Sequence, residues 1–326
     1  MSTILLTGAG GGALPGLITS LRARGYRVIA ADASAQAVGL LLADAGHVIP
    51  FGHTPEFLPK LREVCRSERV DVVLPLVDEE LVPASFLEDD GIAVVLPRRP
   101  FVEMCLDKFV LMERMRAEGF DVPATRLASE GIGDLVFPLV AKPRSGRGSR
   151  GVAVLGTDEE LAQHLHAVGL PADRMILQEH VEGTEFTVSV VVGRSGVTSA
   201  VVPKEIILKR GITQSAVTRR SAAIDSYCRR LQQVFSADGP FNVQLRVDAH
   251  TGSPRAFEIN PRFSTTVSLT VAAGVDEPGE LIAQFLGQPA PADLPWNEGV
   301  VLLRHMADTF LDELTYRKRI NALSRM

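Results

Sequence analysis

The chain has 326 residues, enough for two or three domains, and 46% of them are apolar, enough for ordinary hydrophobic cores. A formal charge of −5 at pH 7 excludes the strongly basic surface of a nucleic-acid binder. Cys65, Cys105 and Cys228 are odd in number and far apart, which excludes a disulfide framework or a CxxC zinc site and fits a reducing, cytoplasmic setting. The apolar run Ile4-Leu5-Leu6 is too short for a signal peptide, and no apolar run approaches the ~20 residues of a membrane span, so no membrane partner is expected.

Residues 1–98 read as alternating β and α units. Thr3–Leu6 is a short apolar strand, and Gly8-Ala9-Gly10-Gly11-Gly12 turns into a helix ending near Arg24-Gly25. Strands follow at Tyr26–Ala31, His47–Pro50, Val70–Pro75 and Ile92–Pro97, with a helix over Glu56–Ser67. Strands separated by helices predict a parallel, doubly wound sheet. Pro97-Arg98-Arg99-Pro100 marks a boundary. Beyond it the pattern predicts a helix over Phe101–Gly119 and strands over Leu135–Lys142 and Val152–Leu155 flanking a glycine-rich loop. A helix over Asp158–Val168 is followed by strands over Met175–Glu179, Glu185–Val192 and Thr198–Val202. A helix over Ala222–Phe235, a hairpin, helices over Ser268–Gly274 and Pro278–Leu286, and a closing strand and helix over Val300–Leu323 complete the chain. There is no internal repeat and no low-complexity tract.

The hairpin carries the most chemistry. Phe241, Val243, Leu245 and Val247 alternate with Asn242, Gln244, Arg246 and Asp248, and Phe257 and Ile259 alternate with Glu258 and Asn260. Turn residues Ala249–Ser253 join the two runs. A hairpin symmetric about Thr251 sets Gln244 across from Glu258 and Asn242 across from Asn260, with Cβ atoms about 5 Å apart. Such an incomplete set of hard oxygen ligands suits Mg²⁺, which keeps waters and shares its coordination with phosphates. Arg262 just beyond is a fork able to hold a phosphoryl group. An ordinary amphipathic ribbon with a wet polar face is the alternative.

Five further features are weaker alone. Lys142-Pro143-Arg144-Ser145-Gly146-Arg147-Gly148-Ser149-Arg150-Gly151 is a β-hairpin loop, not a Walker A motif, whose glycines let backbone N–H groups close over phosphates. Gln178–Phe186 is a strand-to-linker segment with backbone groups for an adenine edge and, at Glu185, a carboxylate for ribose hydroxyls. Lys108 is a lone helical lysine. Gly8-x-Gly10 with Asp32 matches part of a dinucleotide fingerprint at imperfect spacing. Asp78, Glu79 and Glu80 follow an apolar strand, where open α/β sheets bind ligands. There Asp78 or Glu79 suits a substrate ammonium group; an acidic helix N-terminus explains them equally.

In order, these pieces resemble the ATP-grasp superfamily, most closely its carbamoyl-phosphate-synthase-like branch. The most specific part is Asn242-Val243-Gln244 followed by Glu258-Ile259-Asn260-Pro261-Arg262. The resemblance spans nearly the whole chain and implies a mixed α/β and α+β fold. Residues 1–98 would form a Rossmann-like pre-ATP-grasp domain, 99–175 a small lid subdomain, and 176–326 a large subdomain with an antiparallel sheet and a C-terminal strand and helix. It implies Lys108 and Lys142 as phosphate-binding cations, and Gly146, Gly148 and Ser149 as the loop over the phosphates. Glu179 and Val181 fall at the adenine hinge and Glu185 at the ribose acid. Gln244, Glu258 and Asn260 fall at the Mg²⁺ positions, with Mn²⁺ as a substitute, and Arg262 beside the acyl-phosphate; Arg262 and Lys142 would be catalytic. Lys204 or Arg210 lies near the expected acyl-substrate site. The implied reaction joins a small carboxylate, such as an amino acid, to an amine through an acyl-phosphate, releasing ADP and phosphate. The departures are Gln244 where many relatives carry an acid, and a length far below that of the full synthase with its two units and no visible glutaminase, so carbamoyl phosphate is not the expected product. Rival readings are a phosphotransferase stopping at the acyl-phosphate, a nucleotide-binding protein without catalysis, and an NAD(P)-dependent oxidoreductase using the Gly8–Asp32 unit. A homodimer is the default assembly.

Overall fold

The computed structural model describes residues 1–323; residues 324–326 of the expected C-terminal unit lie outside the described residues. Strands β1 (Thr3–Leu6), β2 (Arg27–Asp32), β3 (Ala45–Val48), β4 (Val72–Leu74) and β5 (Ala93–Val94) form a parallel sheet in the order β3-β2-β1-β4-β5. Successive residues point to opposite faces. Ile4, Leu6, Val28 and Ala30 pack with the helix Leu14–Ala23, while Leu5, Ile29 and Ala31 pack with the helix Phe57–Glu68. The short helix Val38–Leu42 was not anticipated, and Asp78, Glu79 and Glu80 open a short helix Asp78–Ser85, the helix N-terminus that was one reading of these acids.

The strand order reverses between β1 and β4, which opens a crevice at their carboxyl ends. Three features of the sequence meet there. Gly8 adopts φ +66°, and the Gly10 N–H donates to Asp32 Oδ2 at 2.8 Å. The Ser34 N–H donates to Asp32 Oδ1 at 2.8 Å, so this acid closes its own turn. Thr7 Oγ1 donates to the Glu80 carboxylate and accepts from the Leu76 N–H at 3.2 Å.

Strands β6 (Thr125–Leu127), β7 (Leu139–Pro143), β8 (Ala153–Leu155) and β9 (Met175–Glu179) form a small antiparallel sheet in the order β6-β9-β7-β8. Its core is Ala141, Leu155 and Leu177 under Leu161 of the helix Asp158–Val168. The expected division at 175/176 therefore falls at the start of β9, a strand paired on both sides within this sheet.

The helix expected over Phe101–Gly119 is broken. Asp107 is extended (φ −108°, ψ 100°) and separates Arg99–Leu106 from Lys108–Ala117. Its side chain accepts from the Phe109 and Val110 N–H groups, each at 3.1 Å, as a helix N-cap. These helices pack on the large sheet: Phe101, Cys105, Leu111 and Met115 share a core with Val188, Val243 and Ile259.

The large sheet is antiparallel, with β10 (Gly183–Val192), β11 (Thr198–Arg210), β12 (Ile212–Thr218), β13 (Phe241–Asp248), β14 (Pro254–Asn260) and β15 (Val301–Leu303) in the order β14-β13-β10-β11-β12-β15. Phe186, Val188, Val190 and Val192 of β10 face the helix Ala222–Phe235, whose Ile224, Cys228 and Leu231 are buried. Val191 with Ala200 and Val202 faces the N-terminal domain and shares its core with Leu6 and Leu14. The long β11 and its return β12 extend beyond the strand expected over Thr198–Val202. No helix among the described residues is long and apolar enough to cross a membrane.

Glu80 provides a stability test of the crevice. It is 5% exposed, and burial pushes its carboxyl up to about 7, with Thr7 opposing and the Asp32 and Glu79 charges adding to the rise. A carboxyl that holds its proton more tightly when folded loses stability as pH rises from its ordinary 4.5 towards 7, and the cost is constant above that. Glu80→Gln is expected to remove this slope and to raise stability at pH 8 by up to about 3 kcal/mol. Denaturant unfolding of both proteins at pH 5 and pH 8 checks it; parallel changes contradict it.

Candidate active site

A cleft of about 560 Å³ lies between the small sheet and the large one. Its floor is the β13–β14 hairpin. The pairing is Asn242 with Asn260 and Gln244 with Glu258, as the alternation predicts. Beyond Gln244 the register shifts, so Leu245 pairs with Ala256 and Phe257 is left over as a bulge. This corrects the expected facing of Phe257: Ala256 and Ile259 enter the core, and Phe257 lines the cleft with Glu258.

The bulge has a direct consequence for Lys142. Its Nζ donates to the Phe257 carbonyl at 3.0 Å and lies 5.3 Å from the Phe257 ring centroid. Lys142 is 3% exposed, and burial pulls its ammonium down to about 8 against the opposing pull of Glu258. Lys108 is the first residue of its helix because Asp107 caps it. Its Nζ donates to the Gly146 carbonyl at 2.8 Å and sits 3.7 Å from Glu258 Oε1. Two cations and one carboxylate thus meet beneath the glycine-rich loop. In that loop Gly146, Gly148 and Gly151 have φ of +123°, +70° and +67°, and Ser149 has φ +58°. Ser149 Oγ donates to the Gly211 carbonyl at 3.2 Å, and Arg144 Nε donates to Asp107 Oδ2 at 2.8 Å, so the loop is tied to the β11–β12 turn and to the helix cap.

At the hinge, Glu179 is held from both sides. It accepts from Arg255 Nη1 and Nη2 at 2.6 and 2.7 Å and from the Ala124 N–H at 3.0 Å, and the Arg255 bonds hold its carboxyl below the usual range. Its side chain is therefore engaged, and its own N–H donates to the Ala124 carbonyl at 2.8 Å. Val181 is buried, and its carbonyl accepts from Arg246 at 3.3 Å. Glu185 accepts from Lys209 Nζ at 2.7 Å and Arg246 Nη2 at 3.3 Å.

Gln244, Glu258 and Asn260 converge on the cleft. Among the described residues no cluster of three or more His, Cys, Asp and Glu side chains is placed to hold a metal. The donor set is instead one carboxylate and two amides. Their amide oxygens are only lightly engaged: Gln244 Oε1 accepts from Lys209 at 3.5 Å, and Asn260 Oδ1 from Arg262 Nη2 at 3.3 Å. This chemistry fits a Mg²⁺ that completes its shell with water and phosphate oxygens.

The expected substrate residues are placed differently. Lys204 is wholly buried outside the cleft, where its Nζ donates to Ser189 Oγ at 2.8 Å, Thr270 Oγ1 at 2.7 Å and the Thr266 carbonyl at 3.4 Å. Burial lowers its ammonium to about 8 against the pull of buried Glu277. It is a core cation with protein partners, and it does not line the cleft. Arg210 is exposed at the end of β11 and does not line the cleft, whereas Lys209 does. Asp78 and Glu79 are not free acids: they pair with Arg262 Nε at 2.5 Å and Arg147 Nε at 2.9 Å.

One residue takes a structural role that the sequence reading did not give it, and one escaped that reading. Asn242, 2% exposed, donates to the Arg262 carbonyl at 2.9 Å and fixes the chain beyond β14. Arg304, just past β15, donates to the Thr213 carbonyl at 3.0 Å and the Thr265 carbonyl at 2.8 Å. Burial lowers its guanidinium, with no carboxylate opposing among the described residues, and it lies near the glycine turn at Gly12. No spacing or motif around Arg304 signals this position.

Residues 172–308 match a family model described as ATP-grasp in the biosynthetic pathway with the Ter operon, and residues 4–89 match a PylC-like N-terminal domain. The chain belongs to the ATP-grasp superfamily. The carbamoyl phosphate synthase large chain of Thermotoga sp. strain RQ2 is 25% identical over 287 residues, covering 78% of this chain and 26% of that protein. The chain thus spans about a quarter of the length of the synthases it matches. An L-amino acid ligase from Bacillus licheniformis aligns with a TM-score of 0.72 at 16% identity, over 89% of this chain and 75% of that one. The biotin carboxylase domain of Hydrogenobacter thermophilus 2-oxoglutarate carboxylase, solved with MgADP and bicarbonate, aligns with a TM-score of 0.72 at 18% identity, over 91% and 72%. Both share the ATP-grasp fold seen here.

Asp107 tests how the cleft is built. Asp107→Ala removes the cap, leaves Arg144 unpaired and releases Lys108 from its aim. Stability is expected to fall by about 1–2 kcal/mol and ATP affinity by about tenfold. Thermal unfolding with ATP titration calorimetry checks both; lower stability with unchanged ATP affinity contradicts the positioning of Lys108.

Proposed function

We propose that this ATP-grasp protein is an ADP-forming ligase that joins a small carboxylate, an amino acid being the best fit, to an amine through an acyl-phosphate. The observation that supports it most is the hairpin register, which sets Glu258 with Gln244 and Asn260 beside Lys108 and Lys142. An amino acid ligase and a biotin carboxylase domain among the structural neighbours fit the same chemistry.

The residues divide the work. The hinge at Glu179–Val181 receives the adenine through backbone groups, and Glu185 receives the ribose. Lys108 and Lys142 neutralise phosphate oxygens from fixed positions, as phosphoryl transfer requires. Glu258, Gln244 and Asn260 would hold Mg²⁺, which supplies further charge neutralisation on the phosphates when bound. A substrate carboxylate oxygen attacks the γ-phosphorus, and the bond to ADP breaks. The amine nitrogen then attacks the acyl carbon, inorganic phosphate leaves with the C–O electron pair, and the nitrogen loses a proton to solvent. Arg262 sits where it can steady the phosphoryl group through both steps. Residues 143–151 exclude water that would hydrolyse the acyl-phosphate.

ADP release with MgATP against amino acids and other small carboxylates, singly and paired with amines, tests the reading. A product lighter by one water than the sum of a pair identifies a ligase. Hydroxylamine trapping without such a product identifies an enzyme that stops at the acyl-phosphate. Glu258→Ala is expected to lower ADP formation at least about 10³-fold with native-like thermal unfolding; normal turnover contradicts the metal assignment.

A further inference from the structure

Three consecutive acids open the helix Asp78–Ser85, and each has a different partner. Glu80 turns back into its own domain onto Thr7, at the end of β1. Asp78 reaches the hairpin, where its Oδ1 accepts from Arg262 Nε at 2.5 Å; the two side chains are 10% and 11% exposed. Glu79 reaches the glycine-rich loop, where its Oε2 accepts from Arg147 Nε at 2.9 Å; both side chains are more than a third exposed. A helix anchored in the N-terminal domain therefore touches both the arginine beyond the metal-type residues and the loop over the cleft.

The donor arithmetic at Arg262 is informative. A guanidinium has five N–H groups, one of them on Nε. The Nε–H is used on Asp78. Nη1 gives one bond to the Phe263 carbonyl at 3.2 Å, and Nη2 one to Asn260 Oδ1 at 3.3 Å. One N–H on each Nη is left for an anion. The Asp78 contact is the shortest of the three, charge-assisted and nearly dry, so it dominates in setting the plane of the fork.

We propose that Asp78 is a positioning residue for Arg262, and that Glu79 beside it latches the glycine-rich loop through Arg147. One helix start in the N-terminal domain thus aligns the arginine and the loop together. The proposal rests on the reading of Arg262 as the group beside the transferred phosphoryl. The two contacts differ in kind. The Asp78–Arg262 pair is buried and persists through the cycle, since breaking it would strand a buried charge. The Glu79–Arg147 pair is solvated and weak, so it can release as the loop opens.

The test follows the Arg262 Nε–H directly by ¹H–¹⁵N NMR, assigned with Arg262→Lys, in wild type, Asp78→Asn and Asp78→Glu. A slowly exchanging Nε–H in wild type, lost in Asp78→Asn and partly regained in Asp78→Glu, is expected. With an active substrate pair, Asp78→Asn lowers kcat about 30-fold or more while the KM for ATP stays within about threefold, and Asp78→Glu restores part of kcat. Glu79→Gln raises the KM for ATP by about three- to tenfold. An Nε–H signal unchanged in Asp78→Asn overturns the proposal, as does an unchanged kcat. If no carboxylate elicits ADP from wild type but the Nε–H still depends on Asp78, the positioning stands and the ligase reading fails.

Discussion

The register of the β13–β14 hairpin is the constraint on which the site depends. Side chains alternate with a period of two, so a slip of one residue would send Glu258 into the core and Ile259 into the cleft. The apolar set Val243, Leu245, Ala256 and Ile259 prevents that slip, because it is buried against Ile224, Cys228 and Leu231. The bulge at Phe257 then does two things. It lets the turn end of the ribbon keep its own register, and it brings the Phe257 carbonyl to the buried ammonium of Lys142. One irregularity in one strand thus joins the small sheet to the large one at the point where the cations are needed.

The charges in the cleft are already balanced by protein groups. Lys108 has the Gly146 carbonyl and Glu258, Lys142 the Phe257 carbonyl, Lys209 has Glu185, and Arg262 has Asp78. Each cation is held in orientation by a partner on a different element, so little reorganisation remains when phosphates arrive. The cost is burial: Lys142 is less basic than a free lysine, and its carbonyl partner, Glu258 and Glu185 keep the ammonium tolerable there. The same logic isolates Lys204. Its hydroxyl and carbonyl partners and nearby Glu277 satisfy it within the packing under the large sheet, away from the cleft lining.

Much of this was legible in the sequence where period and polarity agree. The paired residues Gln244–Glu258 and Asn242–Asn260 follow from alternation, and the helices Asp158–Val168 and Ala222–Phe235 from their 3.6-residue apolar spacing. The failures share a cause. Phe257 reads as core because alternation cannot show a bulge. Lys204 reads as a substrate-site residue because the strand was expected to end at Val202, whereas β11 runs on to Arg210 and buries Lys204 in mid-strand. The break at Asp107 was signalled by an N-cap residue inside an apolar period, but the continuous period concealed it. Asp78, Glu79 and Arg304 depend on hydrogen bonds between segments 39 to 184 residues apart, the longest joining Arg262 and Asp78. No local rule encodes such partners.

The most direct measurement of the central claim is isotope transfer. Once a substrate pair is found, the carboxylate is labelled with ¹⁸O on both oxygens and turned over with unlabelled MgATP. An acyl-phosphate route predicts one ¹⁸O in each inorganic phosphate released and none in ADP. Phosphate without label would show that the carboxylate never attacks the γ-phosphorus, and would contradict the assignment of the cleft to carboxylate activation.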